Sequence, residues 1–356
     1  MSLIAVLVVM AVAQSIFLLL LAVALGVNRK QSRRHRHAIQ AATGTVAAPL
    51  SEWLVHGGHP SALLAALRAL PPSDAIEVLL RVAVSQVGGD DAASLSTALR
   101  EEPWVANGLR NARSMFWWRR LEAARLLAFV GDTRDQKLLQ ALLVDRSSAV
   151  QVVAGRALGR VGSVDAVSTM LERLPDQSRF VQLQQMAILK QEWTIVSPLL
   201  RRKLESEPEP IRLLVWIALA DTLGTVDLFE SLCALWGRPQ ADVRLAVAKA
   251  LRNYYHASAA AVLVSLLGDR EARVRARAAQ SLGALGSADA VGPLSRRITD
   301  PDWGVRFRCA TALAQLGEAG REALRAVRAG EDRFAADMAT AVTGLSAGAV
   351  NEMADE

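Results

Sequence analysis

The sequence predicts an all-α protein: a right-handed α-α superhelix of stacked helical hairpins, a solenoid, preceded by one N-terminal transmembrane helix. Three observations carry that expectation. The phrase EARVRARAAQSLGALG at 271–286 returns as DWGVRFRCATALAQLG at 302–317, 31 positions later and with seven of sixteen positions identical. The composition is 52% hydrophobic but only 5% aromatic, and its apolar residues are mainly Ala, Leu and Val, which favour helix over strand. The chain also opens on an apolar run without a charged residue from Ser2 to Val27.

That opening run, SLIAVLVVMAVAQSIFLLLLAVALGV, would rise about 39 Å as a helix, against a hydrocarbon core of roughly 30 Å. Gln14 and Ser15 are its only strongly polar interruptions. The cluster RKQSRRHRH follows at once and supplies Arg29, Lys30, Arg33, Arg34 and Arg36, expected to lie against anionic headgroups. The positive-inside rule then places the N-terminus outside and everything after the span in the cytoplasm. A cleaved signal peptide, with AVA at 22–24 as its site, would need a basic start and a shorter apolar core. The expectation is therefore a single-pass bacterial inner-membrane protein, with an anchor at 1–28 and a basic juxtamembrane tether at 29–45.

The same five cations account for most of the formal charge of +6. Removing them from 41 Lys and Arg leaves 36 basic against 35 acidic residues. The remainder is nearly neutral, which argues against a nucleic-acid partner for it. Cys233 and Cys309 lie far apart in apolar runs, so neither a disulfide framework nor a structural zinc site is indicated.

The repeat extends well beyond the two opening phrases. With Leu282 as a marker, Leu recurs at 127, 158, 189, 219, 251, 282 and 313, at spacings of 31, 31, 30, 32, 31 and 31. Eight residues before each marker stand Arg119, Val150, Val181, Ile211, Val243, Val274 and Val305. Apolar or small residues at offsets 0, 4, 5 and 8 fall on one face of a helix. Gly131, Gly162, Gly224, Gly286 and Gly317 follow where a left-handed C-cap is expected. The rest of each period reads as a second helix. Turn residues then close the period: Ser114, Asp145, Asp176, Ser206, Asp269 and Asp300. A hairpin of this size cannot bury its apolar face alone, so neighbours must stack.

The stretches DREARVRARAAQSLGALG at 269–286 and DPDWGVRFRCATALAQLG at 300–317 fit D-x-x-x-x-V-R-x-x-A-A-x-x-L-x-x-L-G. This pattern resembles that of HEAT repeats, and the short period is similar to the bacterial HEAT-like repeats of phycobilin lyases. The resemblance covers seven units at 114–332, with a capping helix and tail at 333–356 and degenerate helical repeats or a cap at 46–113. It implies the solenoid fold and very little chemistry.

Arg120, Arg212, Arg244, Arg275 and Arg306 follow the β-branched position, with Gln151 and Gln182 in two units. They read either as a basic ladder for an acidic partner or as partners of the turn acid six residues earlier, Asp269 with Arg275 and Asp300 with Arg306. The HEAT resemblance implies the second, an Asp–Arg ladder. It also implies that the first helix of each hairpin lines a concave surface. There Arg125, Arg156, Arg160, Lys249, Asn253, Arg277, Gln280 and Arg308 collect, interrupted by Glu122 and Asp221, as a solvated face or a partner site. Trp303, in a turn beside Pro301 and Gly304, and Trp117–Trp118 read as inter-repeat packing or as interface anchors. His56 and His59 in VHGGHP lie in a turn without other ligands at metal spacing.

Taken together, these features point to a non-enzymatic scaffold for a membrane-associated protein partner. It would be an accessory subunit of an inner-membrane assembly for envelope polysaccharide synthesis or signalling. No cofactor, metal, small-molecule substrate or nucleic acid is expected. The alternatives are a bilin-lyase-like enzyme and a nucleic-acid-binding HEAT-like protein.

Overall fold

Each repeat phrase is a helix because its small and apolar positions return every three to four residues and a glycine stops it. In α16 (Ala272–Leu285) that face buries Val274, Ala278, Ala279 and Leu282, and Gly286 ends the helix in the left-handed region at φ 71°. Gly162, Gly224 and Gly317 also have positive φ, as expected for C-cap glycines. Gly131 departs from this pattern: it is extended, and a Cβ there would collide with the Leu127 carbonyl, so it is required by close approach.

The computed structural model describes residues 35–83, 87–254, 257–345, 348, 349 and 352. They divide into two compact units, one ending at Val161 and the other beginning at Gly162. Among the described residues there are helices and turns and no strand.

The first unit contains α1 (35–56), α2 (Ser61–Arg68), α3 (Pro72–Ala83), α4 (Gly89–Arg100) and α5 (Pro103–Arg110). It continues with α6 (Trp117–Val130), α7 (Gln136–Leu143) and α8 (Ser148–Val161). Ile39, Leu50, Leu67, Leu79, Leu99, Val105 and Val130 share one core. The segment expected as a tether is thus helical from residue 35, and its Ile39 is buried. At the end of α1 the VHGGHP stretch turns through Gly57 and Gly58, both at positive φ, and Trp53 Nε1 donates to the Gly58 carbonyl.

The second unit contains α9 (Val164–Arg173), α10 (Arg179–Gln191), α11 (Trp193–Ser206), α12 (Pro210–Leu223), α13 (Phe229–Cys233) and α14 (Ala241–Leu251). After α15 (Ala257–Leu266) and α16 come α17 (Val291–Arg297), α18 (Trp303–Gln315), α19 (Gly317–Arg328) and α20 (Arg333–Thr343). First helices of successive hairpins pack side by side: α6 on α8 in one unit, and α12, α14, α16 and α18 in sequence in the other. The marker leucines Leu127, Leu158, Leu219, Leu251, Leu282 and Leu313 are fully buried, as the register requires. Both cysteines are free; Cys309 is buried, and burial pushes its thiol up to about 12.

The expected inner-membrane location is corrected here, and with it the single span and the membrane-associated route to a partner. Among the described residues no helix is long and apolar enough to cross a membrane. The hairpin helices have at most 14 residues, about 21 Å of rise against roughly 30 Å of hydrocarbon. α1 is longer but carries Arg36, His37 and Glu52. The run 2–27 and Arg29, Lys30, Arg33 and Arg34 lie outside the described residues, and Arg36 is exposed on α1.

Candidate partner-binding faces

The ladder arginines come first, because the structure removes them from the candidate site. Arg275 Nε and Nη2 each donate at 2.8 Å to the carboxylate of Asp300, 25 residues onward. Its Nη1 donates at 2.8 Å to the backbone carbonyl of Asp269, the turn acid six residues earlier. Arg244 does the same with Asp269 ahead and the Arg238 and Pro239 carbonyls behind. Arg120 does so with Asp145 ahead and the Ser114 and Met115 carbonyls behind. Each arginine clamps two successive turns, and the carboxylate it holds belongs to the next repeat. The expected side-chain pairs, Asp269 with Arg275 and Asp300 with Arg306, are corrected accordingly.

The acids are completed by backbone donors. Asp145, Asp269 and Asp300 accept the N–H groups of Ser147, Glu271 and Asp302. Burial on its own would raise each carboxyl, but the arginine hydrogen bond, the backbone N–H and the nearby charge outweigh it. The net effect holds all three below the usual carboxylate range.

The rungs change where the sequence does. Gln151 keeps only the carbonyl bond, Nε2 to Asp145 O at 2.6 Å. Arg212, which has Gly237 rather than an acid 25 residues on, meets Asp176 at 3.2 Å and Glu207 at 3.5 Å. Arg306 bonds the Asp300 and Pro301 carbonyls and stands 5.5 Å from the Phe334 ring.

The predicted partner-binding residues separate into two groups. In the first unit Arg156 and Arg160 are exposed on α8, and Arg160 Nη2 donates at 2.7 Å to the Gly131 carbonyl at the end of α6. In the second unit Lys249 Nζ lies 3.3 Å from Asp221, and Asn253 Nδ2 donates to the same carboxylate at 2.6 Å. These three side chains tie first helices of neighbouring hairpins together.

Arg277 and Arg308 form the other group. One repeat apart on α16 and α18, both are half-buried. Burial first, then the charges of Arg308 and Arg252, hold the Arg277 guanidinium below its ordinary value. Three like charges are thus gathered where solvent screens them incompletely. Arg308 lies 5.8 Å over the Phe307 ring, and Phe307 stacks on exposed Trp303 at 5.2 Å with planes 5° apart. This cluster offers positive charge beside flat apolar surface, a combination that suits a carboxylate-bearing protein segment. Of the predicted residues, Arg277, Arg308 and Trp303 belong to it. Arg252 and Phe307 join it without having been singled out in the sequence.

A second feature also had no sequence signal. Buried Glu102, just before Pro103, receives bidentate bonds from Arg68 Nε and Nη2 at 2.8 and 2.6 Å, beside a 600 Å³ cleft with Leu64, Pro72 and Trp104. Among the described residues, no group of three His, Cys, Asp or Glu is placed to hold a metal.

The chain matches the HEAT repeats family over residues 103–188 and 261–343. These segments are HEAT repeats. They take in the hairpins carrying the rungs Arg120–Asp145 and Arg275–Asp300, and the second takes in Arg277, Arg308 and Trp303. A search of curated proteins returns no match. Among solved structures, YibA of Escherichia coli aligns at 16% identity over 73% of this chain and 97% of its own, with a TM-score of 0.38. A Kap121p mutant aligns at 14% identity over 86% of this chain and 41% of its own, at 0.47. The CpcE–CpcF complex of phycocyanin lyase from Nostoc aligns at 18% identity over 67% and 94%, at 0.30. Likenesses this weak bear on no residue's role.

Proposed function

We propose that this HEAT-repeat protein is a non-catalytic scaffold that holds an acidic segment of a protein partner on the second unit, at Arg252, Arg277, Arg308 and Trp303. The observation that carries the reading is the gathering of the three arginines beside the Trp303–Phe307 stack. Other prominent charges of the hairpins are taken up in structural pairs, as in Arg244–Asp269, Arg275–Asp300 and Lys249–Asp221. Charge gathered against its own repulsion is better explained by a ligand than by stability, since bringing like charges together costs free energy.

The test is co-purification of the tagged full-length chain with its partner, identified by cross-linking through residues near Arg277. Combined Arg252→Glu, Arg277→Glu and Arg308→Glu should abolish capture while helical circular dichroism is retained. Capture by the unaltered chain should also weaken with salt, because exposed charges are screened over about 8–10 Å. Undiminished capture by the triple variant sinks the assignment.

A further inference from the structure

The turn that opens the first strong repeat exposes four successive apolar side chains. Met115 is 85% exposed, Phe116 39%, Trp117 49% and Trp118 50%. The helix they lead into does not need them for its core, because α6 already buries Ala123, Ala124, Leu126, Leu127 and Val130. Nor are the rings randomly splayed. Phe116 and Trp118 stack with centroids 4.6 Å apart and planes at 25°, and Trp117 stands edge-on to Trp118 at 6.3 Å and 85°. Together with the next turn, at Arg146 and Ser147, they wall an open slot of about 480 Å³.

The slot has one sign of charge. Exposed Arg119 lies 5.6 Å over the Phe116 ring, and exposed Arg146 lines the opposite wall. No acidic residue lines it, and the adjacent Asp145 is engaged by Arg120. Size narrows the occupant further. At these exposures the four side chains offer roughly 500 Å² of apolar surface, within the range of the largest, often functional, patch of a monomer. A stable complex between folded surfaces buries about 800 Å² on each partner, so a second copy docking here alone would fall short. A short linear segment does not. Stacked and edge-on rings forming a slot suit a polyproline II helix, which is already extended and loses little entropy on docking.

We propose that Met115, Phe116, Trp117 and Trp118, with Arg119 and Arg146, form a docking site for a short proline-rich segment flanked by acidic residues on a partner protein. The site lies on the first unit and stands independently of the basic cluster on the second.

The experiment uses the full chain and two fluorescein-labelled peptides, EEPPLPPLEE and KKPPLPPLKK, read by fluorescence anisotropy. The acidic peptide should bind saturably and at least about tenfold more tightly than the lysine peptide. Trp117→Ala with Trp118→Ala should lose about tenfold or more. Arg119→Glu with Arg146→Glu should reverse the order of the two peptides, and as exposed substitutions these report on the slot even where the tryptophan variant misfolds. No saturable binding up to about 1 mM, or equal binding of both peptides, overturns the proposal. So does a tryptophan variant of unchanged circular dichroism and unchanged affinity. Tryptophan-dependent binding to phosphatidylglycerol vesicles, or tryptophan-dependent self-association, with no peptide binding would assign the patch to lipid or to a second copy and equally overturn it.

Discussion

Arg275 joins two turns at once: its guanidinium holds the Asp300 side chain of the following repeat and the Asp269 carbonyl of its own. The Asp300 carboxylate has no exposed surface. An ion pair that deep gains little over an apolar pair of the same shape, yet leaving one half unpaired is costly. The rung therefore works mainly as a register lock between hairpins.

Removing one half should show this asymmetry. Arg275→Met is expected to cost about 3–5 kcal/mol, measured by urea unfolding. The pair Arg273–Asp242, more than half exposed on both sides, provides the comparison, and Arg273→Met should cost about 0–1 kcal/mol. Combining Arg275→Met with Asp300→Asn should recover part of the loss, because the buried charge is then gone. Equal losses for Arg275→Met and Arg273→Met would deny the rung its role.

Acid should weaken the same rungs. Asp145, Asp269 and Asp300 are held below the usual range in the folded chain, so folding favours their charged form. Their contribution is present above the unfolded value of about 3.9 and is lost as the pH falls through the folded pKa below it. Between pH 5 and 8 these groups should leave stability unchanged. Asp269→Asn with Asp300→Asn should lower the plateau and flatten the fall below pH 4, followed by unfolding free energy against pH. An acid limb as steep as that of the parent chain would contradict the assignment.

A third expectation opposes helix propensity. Gly283 sits inside α16, where alanine would ordinarily gain about 1 kcal/mol. A Cβ there would stand 2.8 Å from the Ala312 Cα, because α18 passes that close. Backbone yields less readily than a side chain, so the overpacking cost of about 1–3 kcal/mol should win. Gly283→Ala is expected to destabilise in thermal unfolding, whereas Gly237→Ala, with open space around it, should not. A stabilised Gly283→Ala would show that the two helices pack less tightly than described.

Much of this architecture is legible in the period. The marker leucines place the buried face correctly because burial follows a 3.6-residue rhythm that sequence displays directly. The partner of each arginine is harder to read, because an acid six residues back and an acid 25 residues ahead both recur at every repeat. Local spacing favours the first, but the guanidinium satisfies the near turn through its carbonyls and spends its bidentate edge on the far one. Arg160, Lys249 and Asn253 look like solvent-face residues for the same reason: their partners, Gly131 and Asp221, come from the preceding hairpin. The aromatic slot at 115–118 sits where the repeat pattern begins, and a pattern of burial says nothing about residues that remain outside it.

The spacing of 25 also predicts where a missing rung is restorable. In α10 the arginine position is Gln182, buried and bonded weakly to the Pro175 carbonyl at 3.4 Å. Twenty-five residues on stands Glu207, which accepts from the Glu209 N–H at 3.2 Å and from Trp216 Nε1 at 3.3 Å. Burial would raise its carboxyl, but these bonds and Arg212 hold it below the usual range, so the acid is charged and placed for a rung. Gln182→Arg should present Nε and Nη2 to Glu207 and Nη1 to the turn behind, as Arg244 and Arg275 do. Burying the guanidinium opposes this, which leaves a net gain of about 1 kcal/mol for charge-assisted bonds. In a Glu207→Gln background the same change should destabilise, because the new charge is then buried without a partner. Urea unfolding of the four chains measures the coupling. A gain that survives the loss of Glu207, or no gain with Glu207 present, would break the rule that an arginine in one turn reads the acid 25 residues ahead.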